Sequence, residues 1–277
     1  MAALFGVLAA LLLGVSDFFA SRAGRTESAF SVTRTNMAVS TVLGPLLLLV
    51  KPWEWSPVDA ARGVLAGASM SFGLVLLYHG YRVARIGIVA PTSSVVFAFG
   101  PLLWGALRGE LPGVVPLAGM VVAAVALFPT TWSPGGVGGI ATGLVLGVGS
   151  GALFALAFVT MSEMNEAAGL LPLWIQRGAG LGVLSMVQPY ERSRLVVLSG
   201  PARWVAWGAG LAAMGALTSL QLGYGSDGNA AVVSVAASQF ATVLVVLAVV
   251  FNKDRVRWWQ GLGIAASGVG VALMATG

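Results

Sequence analysis

Apolar residues run along this chain in stretches of about 20, divided by short polar links, and a helix needs about that many to cross the hydrocarbon core of a bilayer. Ten such stretches fit, at 2–21, 29–50, 60–81, 86–107, 113–131, 138–161, 169–188, 203–224, 229–251 and 257–276. The links between them carry turn residues, as in Lys51-Pro52-Trp53-Glu54-Trp55-Ser56-Pro57 and Ser133-Pro134-Gly135-Gly136. Ten-residue runs of alternating apolar and polar residues are absent, which argues against a membrane β-barrel. The first stretch lacks a basic leader and a small-residue cleavage site, so it is expected to persist as a helix. The pattern predicts an all-α membrane protein of ten transmembrane helices in one integral membrane domain.

The stretches also repeat. Gly80-Tyr81 falls on Gly223-Tyr224 and Arg34 on Arg177, each at an offset of 143. Ser94 falls on Ser238, Glu110 on Asp254 and Gly119 on Gly263, each at an offset of 144. The expected organisation is a first five-helix repeat over 1–135 and a second over 136–277. Five crossings leave the chain on the opposite face, so the second copy should start inverted. Inverted repeats around a midplane site are the architecture of secondary transporters.

Composition narrows the picture. Hydrophobic residues make up 57% of the chain and charged residues 9%, against roughly 25% charged in a soluble domain. Mean hydropathy is +0.90. The 38 glycines suit close helix approach in a membrane, and no Gly-X-Y period points to collagen. With no cysteine, disulfides, thiolate metal sites and cysteine catalysis are excluded. The net charge of +5 is read as loop arginines facing anionic lipid rather than nucleic acid. Odd-numbered links hold Arg22, Arg25, Arg82, Arg85, Arg192, Arg194, Arg203, Lys253, Arg255 and Arg257, while even-numbered links hold only Lys51, Arg62 and Arg108. By the positive-inside rule, both termini would lie outside.

Several stretches resemble the EamA family of the drug/metabolite transporter superfamily. They are Gly14–Arg22, Ala168–Arg177, Val89–Pro91 entering the fourth stretch, the acidic Glu110 after it, and Trp258–Leu273. The resemblance spans nearly the whole chain in order. It implies a ten-helix bundle of two inverted repeats that exports or exchanges small metabolites, in a bacterial inner membrane. It also implies cytoplasmic termini, opposite to the charge count, so orientation stays open. The chain departs from the family pattern at Asn252-Lys253-Asp254, where the second acidic turn is flanked by a basic residue.

Charges inside spans are few, and each costs roughly 2.5–3.5 kcal/mol at the bilayer centre on insertion scales, which makes them functional candidates. Asp17 and Arg34 sit at similar depth below one face. Either they meet as an ion pair at a cavity mouth, or a snorkelling arginine and a capping aspartate tie the first two spans together. Proton coupling at Asp17 would require that contact to break. Arg177, deeper in its span, has Glu163 and Glu166 as its nearest acids in sequence. The two repeat-related arginines suit opposite gates or an anionic group on a substrate.

Uncharged polar residues form a second tier: Asn36, Ser93, Ser94, Gln176, Ser238, Gln239 and Thr242. Ser94 and Ser238 are expected to approach one midplane cavity, with Gln239 beside the second. His79 is a candidate proton shuttle or an interfacial anchor with Tyr78. Trp104 and Trp174 could stack on an aromatic or cationic ligand. Trp53, Trp55, Trp132, Trp258 and Trp259 read as interfacial belt residues.

Enzyme chemistry finds no support. One histidine cannot supply an HExxH zinc site, no GxSxG elbow accompanies it, and Asp17 has no acidic partner within a span. No P-loop encodes ATP hydrolysis, and no cofactor or metal is expected. The expected activity is secondary active transport, in the direction of export, of small organic metabolites by alternating access. The expected partners are a small-molecule substrate, the lipid bilayer and a proton as coupling ion. An uncoupled facilitator and a membrane scaffold or partner subunit are the alternatives.

Overall fold

The computed structural model of the chain describes residues 1–84, 86–131, 139–191, 193–226, 230–252 and 257–274. Arg85, Trp132, the repeat boundary around 132–138, Arg192, Lys253, Asp254 and Arg255 lie outside the described residues. Among the described residues, all regular structure is helical.

The helices are α1 (Ala2–Ala23), α2 (Ala29–Leu43), α3 (Pro57–Val83), α4 (Ile86–Leu107), α5 (Val114–Thr131) and α6 (Ile140–Ser162). They are followed by α7 (Leu171–Glu191), α8 (Arg203–Tyr224), α9 (Ala230–Ala237), α10 (Phe240–Asn252) and α11 (Trp258–Met274). Every one of the expected stretches is therefore occupied by helix. Seven runs are long and apolar enough to cross a membrane: Ala2–Ala23, Ala29–Leu49, Pro57–Val83, Ile88–Leu107, Ile140–Ser162, Arg203–Tyr224 and Ala230–Phe251. Val114–Thr130 is apolar but shorter. The chain is an all-helical integral membrane protein.

Local chemistry sets the helix starts. Ser28 caps α2 by accepting from the Ser31 amide at 3.1 Å. Ser56 caps α3 by accepting from the Asp59 amide at 3.2 Å, with Pro57 at the first helical position where its missing N–H costs nothing. The second stretch tightens after Leu43 into a 3-10 turn, Gly44–Leu49, that begins with Gly44-Pro45. The ninth stretch is interrupted at Ser238-Gln239, between α9 and α10. Pro91 and Pro101 lie inside α4, where each lacks the amide that would bond the preceding turn.

The most extensive packing joins α5 to α11, α1 to α8, α3 and α4 to α6, and α3 to α7. Lipid tails are as apolar as leucine, so helices associate here through close van der Waals contact rather than the hydrophobic effect. Glycines at the crossings permit it. A Cβ on Gly119 of α5 would lie 2.6 Å from the Gly270 carbonyl oxygen of α11, and one on Gly270 would lie 2.7 Å from that of Gly119. Both obstacles are backbone, which cannot rotate away. Gly270→Val is therefore expected to separate α5 from α11 and destabilise the protein by about 1–3 kcal/mol. Gly268→Val, which meets nothing within 4 Å, should leave stability near wild type. Thermal unfolding of the two variants in one detergent checks this, and equal midpoints would contradict the glycine contact as the packing determinant.

Candidate functional site

A small cavity of about 30 Å³ lies between α1, α3, α4, α6 and α10. Its walls are Leu13, Met70, Leu74, Leu77, Phe97, Phe154, Phe158 and Phe240, and its one charged residue is Asp17. The Phe97 ring stands 4.4 Å from Phe158 and 6.4 Å from Phe240, centroid to centroid. Asp17 is 4% exposed, and its Oδ1 accepts from the Tyr78 hydroxyl of α3 at 3.4 Å. The Tyr81 hydroxyl lies near the same carboxylate without making a hydrogen bond.

The expected Asp17–Arg34 ion pair is not formed. Arg34 turns away, donating from Nη2 to Ser193 Oγ at 2.9 Å and from Nε to the Phe30 carbonyl at 3.4 Å. Its guanidinium also lies 5.8 Å from the Phe30 ring centroid. The reason is helical geometry: similar depth in two adjacent helices does not fix the face each side chain leaves from.

Arg177 is 3% exposed in α7, and among the described residues no acid pairs with it. Its Nη1 donates to the Met37 sulfur at 3.1 Å and its Nε finds no partner. The two nearest acids in sequence are committed elsewhere, Glu166 to Lys51 at 3.0 Å and Glu163 to Arg108. Beside Arg177, Gln176 donates to the Met161 sulfur at 3.3 Å, leaving its buried Oε1 unpaired. Tyr78 interacts electrostatically with both Asp17 and Arg177, which links the two buried charges across the α1, α3 and α7 side of the bundle.

The remaining candidates are dispersed. Asn36 donates to Ser16 Oγ at 3.4 Å and to the Ala209 carbonyl at 3.5 Å, tying α2 to α1 and α8. Ser93 accepts from Ser150 of α6 at 2.8 Å. Ser94 is buried with no partner for its hydroxyl, while Ser238 donates to its own helix at the Val235 carbonyl, 2.7 Å away. Neither serine lines the cavity, contrary to expectation; Phe97 and Phe240, a turn or less further on, take that place. Gln239 donates to the Ala123 carbonyl of α5 at 3.4 Å and accepts from Thr242. It braces the α9–α10 interruption against a neighbouring helix. His79 is exposed on the opposite side of α3 from its buried neighbour Tyr78, so it is not positioned to pass a proton to Asp17. Trp174 donates to the Thr41 carbonyl at 2.9 Å. Trp53, Trp55 and Trp258 are exposed.

Trp104 lies at one end of the bundle. Its Nε1 donates to Glu163 Oε1 at 2.8 Å, the same oxygen that pairs with Arg108. The Arg108 guanidinium lies over the Trp104 ring at 5.8 Å. These residues line a 280 Å³ cavity together with Pro101, Glu110 and Ala230. Arg34 and Ser193, with Glu27 and Arg194 paired at 3.5 Å, hold the other end. Glu163 precedes α7 and Ser193 follows it, so the full length of that helix separates the two clusters. Among the described residues, no group of three or more His, Asp or Glu could hold a metal ion. The four phenylalanines around Asp17 are the residues that sequence reasoning missed. An inward phenylalanine in an apolar helix carries no signal that separates it from one facing lipid.

Burial works against the charge on Glu163, but the Trp104 N–H and the Arg108 guanidinium outweigh it and hold the carboxyl below its ordinary value. A carboxyl lowered in this way adds stability that is fully present above the ordinary value of 4.5 and is lost as pH falls through the folded one. Wild type should therefore be more heat-stable than Glu163→Gln at neutral pH, and the gap should close below that value. Thermal midpoints measured across the range check this; a gap that persists in acid would show that the charge of Glu163 is not what holds the cluster.

No protein-family model matches the chain, and no curated protein matches it. Solved structures do: 26 chains match. One of them, a crystal structure of a protein, superposes with a TM-score of 0.74 over 99% of this chain and 98% of its own, at 15% identity. At that identity the likeness shows a shared fold.

Proposed function

We propose that this chain is a secondary transporter of small organic molecules, working by alternating access in the direction of export. In this reading it is a member of the EamA family of the drug/metabolite transporter superfamily, in a bacterial inner membrane. Ten spans form two inverted five-helix repeats, with α9 and α10 as one interrupted span. The observation that carries the proposal is the pair of buried charges, Asp17 and Arg177, neither of which has an ionic partner among the described residues. A purely structural bundle gains nothing from keeping such groups, because an unpaired buried charge costs several kcal/mol. A transporter uses them to bind its cargo or coupling ion.

Helix pairing supports the repeat. Under exchange of each span with the one five places on, the α1–α8 contact corresponds to α6–α3, and α3–α7 to α8–α2. The packing of α4 on α6 likewise corresponds to that of α9 and α10 on α1. Side chains follow the same rule. A Cβ on Gly80 would lie 2.7 Å from Val89, and one on its repeat mate Gly223 would lie 3.0 Å from Val233, the repeat mate of Val89. The polar clusters at the two ends of α7 are the natural gates, Trp104, Arg108 and Glu163 at one and Arg34 with Ser193 at the other. Coupling to a proton would act at Asp17, the carboxylate that faces the cavity. A scaffold or partner subunit would need neither the unpaired charges nor two end clusters.

Cells producing the protein should release at least one class of small metabolite faster than cells with an empty vector, measured by mass spectrometry of the medium. Arg177→Ala is expected to lower that release about tenfold, a loss of about 1.4 kcal/mol in the rate-limiting step, with protein still present in the membrane. Identical media from producing and empty-vector cells would overturn the transport reading. Full release by Arg177→Ala would remove Arg177 from the mechanism.

A further inference from the structure

The cavity around Asp17 has a chemistry of its own. Four of its wall residues are phenylalanines contributed by three different helices, Phe97 from α4, Phe154 and Phe158 from α6, and Phe240 from α10. Aromatic faces are electron-rich and attract cations, while the surrounding aliphatic residues favour apolar groups. Among the described residues, the one ionisable group in the wall is a carboxylate, and its one hydrogen bond comes from Tyr78 at 3.4 Å, a weak one at that length. Both buried arginines point elsewhere, Arg34 to Ser193 and Arg177 to Met37. The site thus offers a negative charge and ring faces, with no basic group among the described residues of its lining.

We infer that this cavity is a binding site for a monovalent organic cation with an apolar or aromatic body, whose charge is met by Asp17 and whose body is held among Phe97, Phe158 and Phe240. The inference rests on the transport reading above and names its cargo class. With a neutral or anionic ligand the Asp17 carboxylate stays buried without a counter-charge unless it takes up a proton, whereas an organic cation supplies that counter-charge directly. An inorganic cation would find one carboxylate and no ring of oxygens to replace its water.

The present cavity is small, with room for about one water. Its walls are built to widen. Phe240 is the first residue of α10, directly after the interruption at Ser238-Gln239. Phe97 is four residues before Pro101, which has no amide to donate to the Phe97 carbonyl. Phe97 and Phe240, neighbouring rings of the wall, are thus carried by segments whose helical hydrogen-bond ladder is already broken. Bends of this kind are the usual way a packed bundle opens.

The test uses purified full-length protein in detergent and isothermal titration calorimetry with three probes. Benzyltrimethylammonium has both charge and ring, tetramethylammonium has charge alone, and benzyl alcohol has the ring alone. Benzyltrimethylammonium should bind saturably, and each of the other two about tenfold more weakly or less. Asp17→Asn should weaken its binding about tenfold or more, Phe240→Leu about threefold, and Asp17→Glu by less than either. Thermal midpoints accompany each variant, and Asp17→Glu separates loss of charge from loss of fold. Absence of saturable binding to wild type, unchanged affinity in a folded Asp17→Asn, or benzyl alcohol binding as tightly as the cation would each overturn the inference. Cation binding without export of any metabolite would leave this site standing and sink the transport reading. Export of neutral or anionic metabolites alone, with no cation binding, would do the reverse.

Discussion

A bilayer core offers no hydrogen-bond partner to a peptide amide, and the architecture of this molecule follows from meeting that constraint with helices alone. Once every segment is a helix, the segments must still hold together without the hydrophobic effect, since lipid solvates their outer faces as well as a neighbour would. The solution is close approach. Gly119 and Gly270 bring α5 and α11 together until backbone meets backbone, and Gly80 and Gly223 receive the branched side chains of Val89 and Val233. The glycine content that looks destabilising in a soluble helix is here the means of association.

The same constraint governs side chains. Many buried hydroxyls bond a carbonyl within one turn: Thr35 to Ser31, Ser71 to Gly67, Thr130 to Ala126 and Thr160 to Leu156. Others stitch one helix to the next, as Ser16 does to Ala209 and Ser40 to Gly210. Set against this thorough pairing, the groups left over are few and informative. Arg177 with only a methionine sulfur, Gln176 with a bare oxygen, and Asp17 with one long bond from Tyr78 all lie inside the bundle. Each is a polar group kept short of partners at a cost.

Mechanics and chemistry meet at the interrupted helices. The gap between α9 and α10 and the two prolines of α4 weaken the spans that carry Phe240 and Phe97 into the cavity. Gln239 and Thr242, at that gap, bond to α5 and to each other, and Thr242 also reaches Ser267 of α11. Polar residues read in the sequence as cavity lining serve here as braces around a hinge. The ion pairs Arg108–Glu163 and Glu27–Arg194 sit instead at the ends of α7, partly exposed, where making or breaking them is cheap.

The sequence by itself determined the helices, because a run of about 20 apolar residues admits one structure in a bilayer and little else. It also marked Asp17, Arg34 and Arg177 as charges in apolar surroundings, and all three are buried, although Asp59 at the start of α3 is buried as well. What only the tertiary structure decided is which groups face one another. Depth follows from counting residues, but azimuth depends on how each helix is rotated against its neighbours. Membrane helices that are apolar on all sides carry no stripe from which to read that rotation. Hence Asp17 meets Tyr78 rather than Arg34, His79 lies outside while Tyr78 lies inside, and four phenylalanines with no distinguishing context converge on one carboxylate.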